Sequence, residues 1–134
     1  MVDVLNEQLR CAEEMLRTLG REKEALVSAD NELLSAVGAD KARIVDALDA
    51  LEAARRKLAA PGEEDDARGS PQWQSLLGVI SACKEQNQRN GALLKARTEQ
   101  LQIALQALRG SEPGFYDPTG LKASARSARA LGTA

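Results

Sequence analysis

The chain has 134 residues, of which 42 are Ala or Leu and only three are aromatic, and this helix-forming composition excludes a β-sandwich, a β-barrel or a parallel sheet. Eighteen basic and twenty acidic residues give a net charge of −2, so the chain lacks the basic field of proteins that bind nucleic acids or anionic lipids. Because the chain has no histidine and Cys11 and Cys83 lie far apart in sequence, we expect no enzymatic activity, no metal and no cofactor.

The first half of the chain carries apolar residues at alternating spacings of four and three, from Leu5 to Leu58. This period of roughly 3.5 residues is typical of long helices packed side by side. A single helix of that length would extend over about 85 Å, too far for a chain this small to cover. We therefore expect the chain to reverse its direction within this half.

Two segments could form that reversal. Residues 28–31 (Ser-Ala-Asp-Asn) are rich in helix N-cap residues, whereas residues 38–40 (Gly-Ala-Asp) combine a residue that ends helices with one that starts them. We favour the first segment, because polar residues interrupt the apolar spacing on either side of it. The predicted helices therefore span residues 2–28 and 31–59.

An acidic loop and a third helix follow. Residues 60–70 contain Pro, Gly and four consecutive acidic residues, with no apolar side chain larger than Ala, which predicts a solvated loop. The Ser-Pro pair after the acids suits the start of a helix, and Gly110 suits its end. We therefore predict a third helix over residues 71–109.

The predicted third helix changes character along its length. The polar stretch Asn87–Gly91 interrupts the apolar face for more than one turn. A half rich in leucine follows, with Leu94, Leu101, Leu105 and Leu108 at helical spacing.

Residues 111–134 have a different composition, with two Pro, three Gly and many small residues. They offer too little apolar surface to offset the entropy lost on ordering, so we predict a disordered tail. Phe115, Tyr116 and Leu121 stand in it as isolated large side chains, which favours a short docking motif. The predicted fold is an elongated antiparallel bundle of three helices in residues 1–110, followed by this flexible tail.

The chain shows no sign of membrane insertion. No segment contains the roughly 18 consecutive apolar residues of a membrane span. The first ten residues lack the basic and apolar regions of a signal peptide. We therefore expect a cytoplasmic protein that is not embedded in the membrane.

Four segments, taken in order, resemble one known family. They are KARIVDALDALEAARRKL in the second helix, PQWQSL at the start of the third, NQRNGALLKARTEQLQIALQALRG in its remainder, and YDPTG in the tail. With this order and spacing, the chain resembles the FlgN family of flagellar type III export chaperones. The resemblance extends over nearly the whole chain.

The resemblance implies a cytosolic chaperone that is not an enzyme. Such chaperones bind the terminal helices of hook–filament junction (hook-associated) proteins, prevent their premature assembly and deliver them to the cytoplasmic domain of the export-gate membrane protein. Two alternatives stay open: a coiled-coil scaffold that forms a homodimer, and a sister export chaperone with another flagellar client. Whether the chain forms a homo-oligomer also stays open.

A client helix could lie along Leu94, Leu101, Leu105 and Leu108, because an amphipathic helix binds a row of apolar residues spaced three and four apart. The alternative is that these leucines are ordinary core, covered by the first helix.

Asn87 and Asn90 also have two interpretations. As polar residues in an apolar seam they could fix the register of the helices, as a buried Asn does in coiled coils. As residues of the family motif they could form a site in which Gly91 allows a close backbone approach. We favour the first interpretation.

Tyr116, with Asp117 and Gly120, is the predicted docking motif for the export gate, because the tail motifs of flagellar export chaperones resemble ligands of that protein. Tyr combines a large apolar face with a hydroxyl group, which suits such a contact. In the free protein the tail could also fold over the leucines.

Overall fold

A computed structural model describes residues 2–62 and 68–110 of the chain. Within these ranges the protein consists of three α-helices and no strand: α1 (Val2–Ser28), α2 (Asn31–Leu58) and α3 (Pro71–Gly110). The predicted all-α fold class is confirmed. The predicted tail and the four consecutive acids of the loop lie outside the described residues.

The chain divides by its internal contacts into two units, Met1–Asn90 and Gly91–Ala134, and each is described separately. The first unit contains α1, α2 and the first half of α3. In the second unit, the described residues are the second half of α3. The predicted division after residue 110 therefore stays a prediction.

The turn between α1 and α2 lies at Ala29 and Asp30, the first of the two predicted places. Ala29 adopts a left-handed backbone conformation (φ 58°), and the backbone N–H of Asp30 donates to the carbonyl of Ala25 at 3.0 Å, which together end α1. The carboxylate of Asp30 then accepts a hydrogen bond from the backbone N–H of Leu33 at 3.0 Å and caps α2. Gly38, the alternative turn, lies inside α2.

α1 and α2 form an antiparallel hairpin. Gln8 near the start of α1 contacts Glu52 near the end of α2 (3.1 Å), and Arg21 near the end of α1 pairs with Asp40 in the first half of α2 (2.9 Å). The first half of α3 returns parallel to α1. Its Cys83 thiol lies 3.4 Å from the carbonyl oxygen of Ala12, and about two turns later Asn90 contacts Leu19, further along α1. The first unit is therefore an up-down-up bundle of three helices.

The core of this bundle is thin. Its fully or nearly fully buried apolar residues are Leu5, Ala12, Leu19, Ala25, Leu26, Val37, Ile44 and Leu76. Two of these are alanines, which allow the helices to approach closely. Burying each larger side chain contributes about 1.5–3 kcal/mol, so the few large residues of this set supply much of the hydrophobic stabilisation.

The 4-3 spacing predicts burial less well at its polar and terminal positions. Lys23 and Leu58 belong to the pattern, yet both are exposed. A straight α-helix drifts by about 20° per heptad relative to a strict 3.5-residue period, so the seam rotates away from the partner helix. Leu58 is also the last residue of α2, where the helix ends.

α3 begins as predicted. The Ser70 hydroxyl accepts a hydrogen bond from the backbone N–H of Trp73 at 3.2 Å, and Pro71 is the first helical residue. The helix then continues without a break through the polar stretch to Gly110.

Candidate functional site

The second half of α3 carries a row of leucines, which we call the leucine strip: Leu94, Leu101, Leu105 and Leu108. At about 100° per residue, these four positions fall within a sector of about 60° on one face of the helix. Leu93 and Ile103 lie outside this sector. The leucine strip is therefore a narrow apolar row about four turns long, with a gap of about two turns between Leu94 and Leu101.

The leucine strip is exposed in the described structure. Leu94 is 50% exposed, Leu101 54% and Leu108 71%, while Leu105 is partly covered. None of residues 91–110 is buried, whereas the first half of α3 contributes Leu76 and Asn90 to the interior. Such a row of exposed apolar side chains is typical of a binding surface.

Asn90 is the last residue of the first unit, and its side chain is almost completely buried (2% exposed). Its amide nitrogen donates to the carbonyl oxygen of Leu19 at 2.8 Å and to a carboxylate oxygen of Glu22 at 2.9 Å. Its amide oxygen accepts a hydrogen bond from Gln86 one turn earlier, at 2.9 Å. Three of the four hydrogen bonds that an Asn side chain can make are thus formed inside the bundle.

Lys41 joins α2 to the same group of residues. Its ammonium group lies 3.0 Å from a carboxylate oxygen of Glu22 and donates to the amide oxygen of Asn87 at 3.1 Å. We call Glu22, Lys41, Gln86, Asn87 and Asn90 the polar network. It connects all three helices, and it makes a shift of α3 along α1 unfavourable because Asn90 would lose its partners in the interior.

The sequence pattern predicts only part of the polar network. Asn87 and Asn90 were identified by their break in the apolar face, but Asn87 is exposed and contacts Lys41 rather than its neighbour Asn90. Glu22 carries no such signal, because the 4-3 spacing points to the adjacent Lys23 instead. The only signal for Lys41 is that it lies at a step of the 4-3 spacing where an apolar residue is expected.

Gly91 has open space around it. A Cβ atom added there would meet no atom within 4 Å, apart from its own helix backbone and chain neighbours. The described residues therefore give no close approach at Gly91 that would require a glycine.

A groove of about 330 Å³ lies in the first unit next to the polar network. Lys41 and Asn87 belong to both. All three helices line the groove, with Met15 and Leu19 from α1, Lys41 and Val45 from α2, and Ile80, Cys83, Lys84 and Asn87 from α3.

A sequence profile of the FlgN protein family matches residues 1–124, a range that includes the leucine strip and the polar network. The chain belongs to the FlgN family. This is a family of flagellar export chaperones. No curated protein sequence and no solved structure matches the chain significantly.

A second polar cluster in this FlgN-family protein lies towards the opposite end of the bundle. Glu52 accepts hydrogen bonds from Arg55 (2.8 and 2.9 Å), from Gln8 (3.1 Å) and from Arg56 (3.2 Å). The hydrogen bonds from Arg55 are the main reason that the pKa of Glu52 is lowered to about 2, against the opposing effect of partial burial. The guanidinium of Arg55 also lies 5.6 Å from the centre of the Trp73 ring, so this cluster anchors the start of α3.

Cys11 and Cys83 are both partly buried free cysteines. Burial raises the pKa of the Cys83 thiol. The pKa of the Cys11 thiol is raised mainly by burial and further by the nearby carboxylates of Glu14 and Glu7. Neither thiol is therefore activated. Residues 2–62 and 68–110 contain no cluster of three metal-binding side chains. Over the same ranges, no helix has the length and apolar character needed to cross a bilayer.

The predicted docking motif of this FlgN-family protein, Tyr116, Asp117 and Gly120, lies outside the described residues. Its role therefore stays a prediction.

Proposed function

We propose that this FlgN-family protein binds the terminal helices of hook–filament junction proteins along its leucine strip, keeps them from assembling prematurely and delivers them to the export gate. The observation that carries this proposal is the exposure of Leu94, Leu101 and Leu108 on a helix that continues from a packed bundle. The family supplies the chaperone role. The choice of client and the delivery step are our inference.

The dimensions of the leucine strip suit an amphipathic helix. From Leu94 to Leu108 the helix rises about 21 Å, which matches about four turns of a partner. Its residues recur at spacings of seven, four and three, the pattern with which one helix anchors another. A partner that covers these side chains would remove apolar surface from water at about 25 cal/mol per Å² before the costs of association.

The client site is tested by calorimetric titration of the full chain with the C-terminal helical segment of a junction protein. We expect stoichiometric binding with a negative heat-capacity change, because the complex buries apolar surface. Leu101→Asp should weaken this binding by about tenfold or more, since it places a charge in the centre of the apolar contact.

Leu58→Asp is the matched control, because Leu58 is a similarly exposed leucine (56%) on α2. It should leave the affinity unchanged. Equal losses in the two variants, or no loss in Leu101→Asp, would contradict the proposed site. A chain that binds no client segment and self-associates instead would favour the coiled-coil scaffold.

Delivery is assigned to the tail motif around Tyr116. Tyr116→Ala should leave the unfolding temperature and client affinity unchanged but reduce secretion of the junction proteins in flagellated cells, because it removes the apolar face and hydroxyl of the docking residue. All three quantities are measured on the same variant: the unfolding temperature by thermal unfolding, the client affinity by calorimetric titration, and secretion by assay of exported protein. A variant that unfolds would show that Tyr116 is structural and not a docking residue.

A further inference from the structure

The leucine strip lies in a basic part of an acidic chain. Residues 91–110 contain three basic residues, Lys95, Arg97 and Arg109, and one acidic residue, Glu99, whereas the whole chain has a net charge of −2. The half helix that carries the exposed leucines therefore has an excess of two positive charges, three basic residues against one acidic residue.

The basic side chains flank the leucine strip on both sides. At about 100° per residue, Arg97 lies about 50° from the centre of the strip on one side, and Arg109 lies about 70° from it on the other, with Lys95 at about 110°. Glu99 lies about 150° away, on the opposite face of the helix. Arg97 and Arg109 thus border the apolar row, whereas Lys95 lies further round the helix, about 40° from Glu99.

Two of these basic groups have no acidic partner within the described structure. Lys95 is exposed and Arg97 half-buried, and neither forms an ion pair with another described residue. In the first unit, by contrast, Arg21, Lys41 and Arg43 each pair with a carboxylate. Lys95 and Arg97 can therefore meet charges on a partner.

We infer that the natural occupant of the leucine strip is an amphipathic helix whose apolar row is flanked by Asp and Glu. This rests on the proposed client-binding role of the strip. Acidic groups that complement Lys95 and Arg97 favour such a helix, fix its register and speed its association. A second copy of the same strip is disfavoured, because it would bring basic borders against basic borders.

The inference is tested with three synthetic helical peptides that share one row of leucines and carry Glu, Gln or Lys at the flanking positions. Their affinity for the full chain is measured by fluorescence anisotropy at about 0.1 M and about 1 M salt, between which the Debye length falls from about 10 Å to about 3 Å. At the lower salt, the Glu peptide should bind about tenfold more tightly than the Lys peptide, as two or three exposed ion pairs together allow. At the higher salt this preference should nearly vanish.

A double substitution of Lys95→Glu and Arg97→Glu should reverse the order of the Glu and Lys peptides at low salt. The matched control, Lys23→Glu with Lys57→Glu, makes the same change in net charge on exposed residues of α1 and α2 and should keep the original order. Circular dichroism of both variants shows that the helices are retained.

The outcomes separate this inference from the function on which it rests. If all three peptides bind equally and Leu101→Asp abolishes their binding, the strip binds helices but the inference about charge is wrong. If none binds, the strip is not a helix-binding surface and the proposed function fails as well. If the chain alone dimerises in sedimentation and Leu101→Asp makes it monomeric, the occupant is a second copy and the inference is overturned.

Discussion

At the scale of single residues, Asn90 connects the motif that distinguishes this sequence to the stability of its bundle. Asn90→Ala removes three hydrogen bonds from a buried position and leaves the carbonyl of Leu19 and the carboxylate of Glu22 with fewer donors. We expect the free energy of unfolding to fall by about 1–3 kcal/mol, measured by urea denaturation.

Asn87→Ala is the control for this prediction, since Asn87 lies in the same motif but is exposed and accepts one hydrogen bond from Lys41. It should lower the free energy of unfolding by less than about 1 kcal/mol. If the two variants lost the same stability, the interior position of Asn90 would not be what matters.

The sequence predicts the helix caps but not the hydrogen-bond partners of Asn90. The sequence predicts helix starts at the N-cap cluster 28–31 and at the Ser-Pro pair, and there Asp30 and Ser70 each accept a backbone hydrogen bond. Caps are local, so the sequence contains their cause. The partners of Asn90 lie 68 and 71 positions away, and only the rotation and offset of packed helices bring them together.

At the scale of helices, the cluster around Glu52 joins α2 to α1 and positions Arg55 against Trp73 on α3. The pKa of Glu52 is about 2 in the folded protein, compared with the ordinary value of 4.5 for a glutamate that lacks these contacts. The ionised form of Glu52 therefore favours the folded state. This stabilisation is fully present above pH 4.5 and is lost as the pH falls from 4.5 through about 2.

Glu52→Gln tests this contribution, because it keeps the shape of the side chain and removes its charge. We expect wild type to be more stable than the variant at pH 7, with a difference that stays constant down to about pH 4.5 and shrinks below it. Chemical denaturation at several pH values gives the comparison. A difference independent of pH down to about 2 would contradict the role of the carboxylate.

The helices themselves follow from local signals in the sequence. Apolar period, capping residues and the Ser-Pro pair predicted three helices, and they begin and end close to the predicted residues. The pattern could not say which part of α3 is covered, because Leu76 and Leu101 have the same residue type and a similar place in the seam. Coverage depends on the partner helices, and a periodic sequence does not contain that information.

At the scale of the whole molecule, the described residues comprise a packed bundle and a half helix, residues 91–110, of which none is buried. Every buried residue described belongs to the first unit, whereas the apolar side chains of residues 91–110 are exposed or only partly covered. Substitutions in the two parts should therefore have different effects. We expect changes in the core to alter stability, and changes in the leucine strip to alter the proposed client binding.

The central claim, that the leucine strip is where the client binds, is tested most directly by hydrogen–deuterium exchange of the full chain with and without the junction-protein segment. We predict new protection of the backbone amides from Leu94 to Leu108 in the complex, since covering the strip suppresses local opening of this half helix. Amides around Leu5 to Leu19, in the core of the bundle, should exchange equally slowly in both states. A complex that forms without added protection at residues 94–108 would place the client elsewhere and contradict this account.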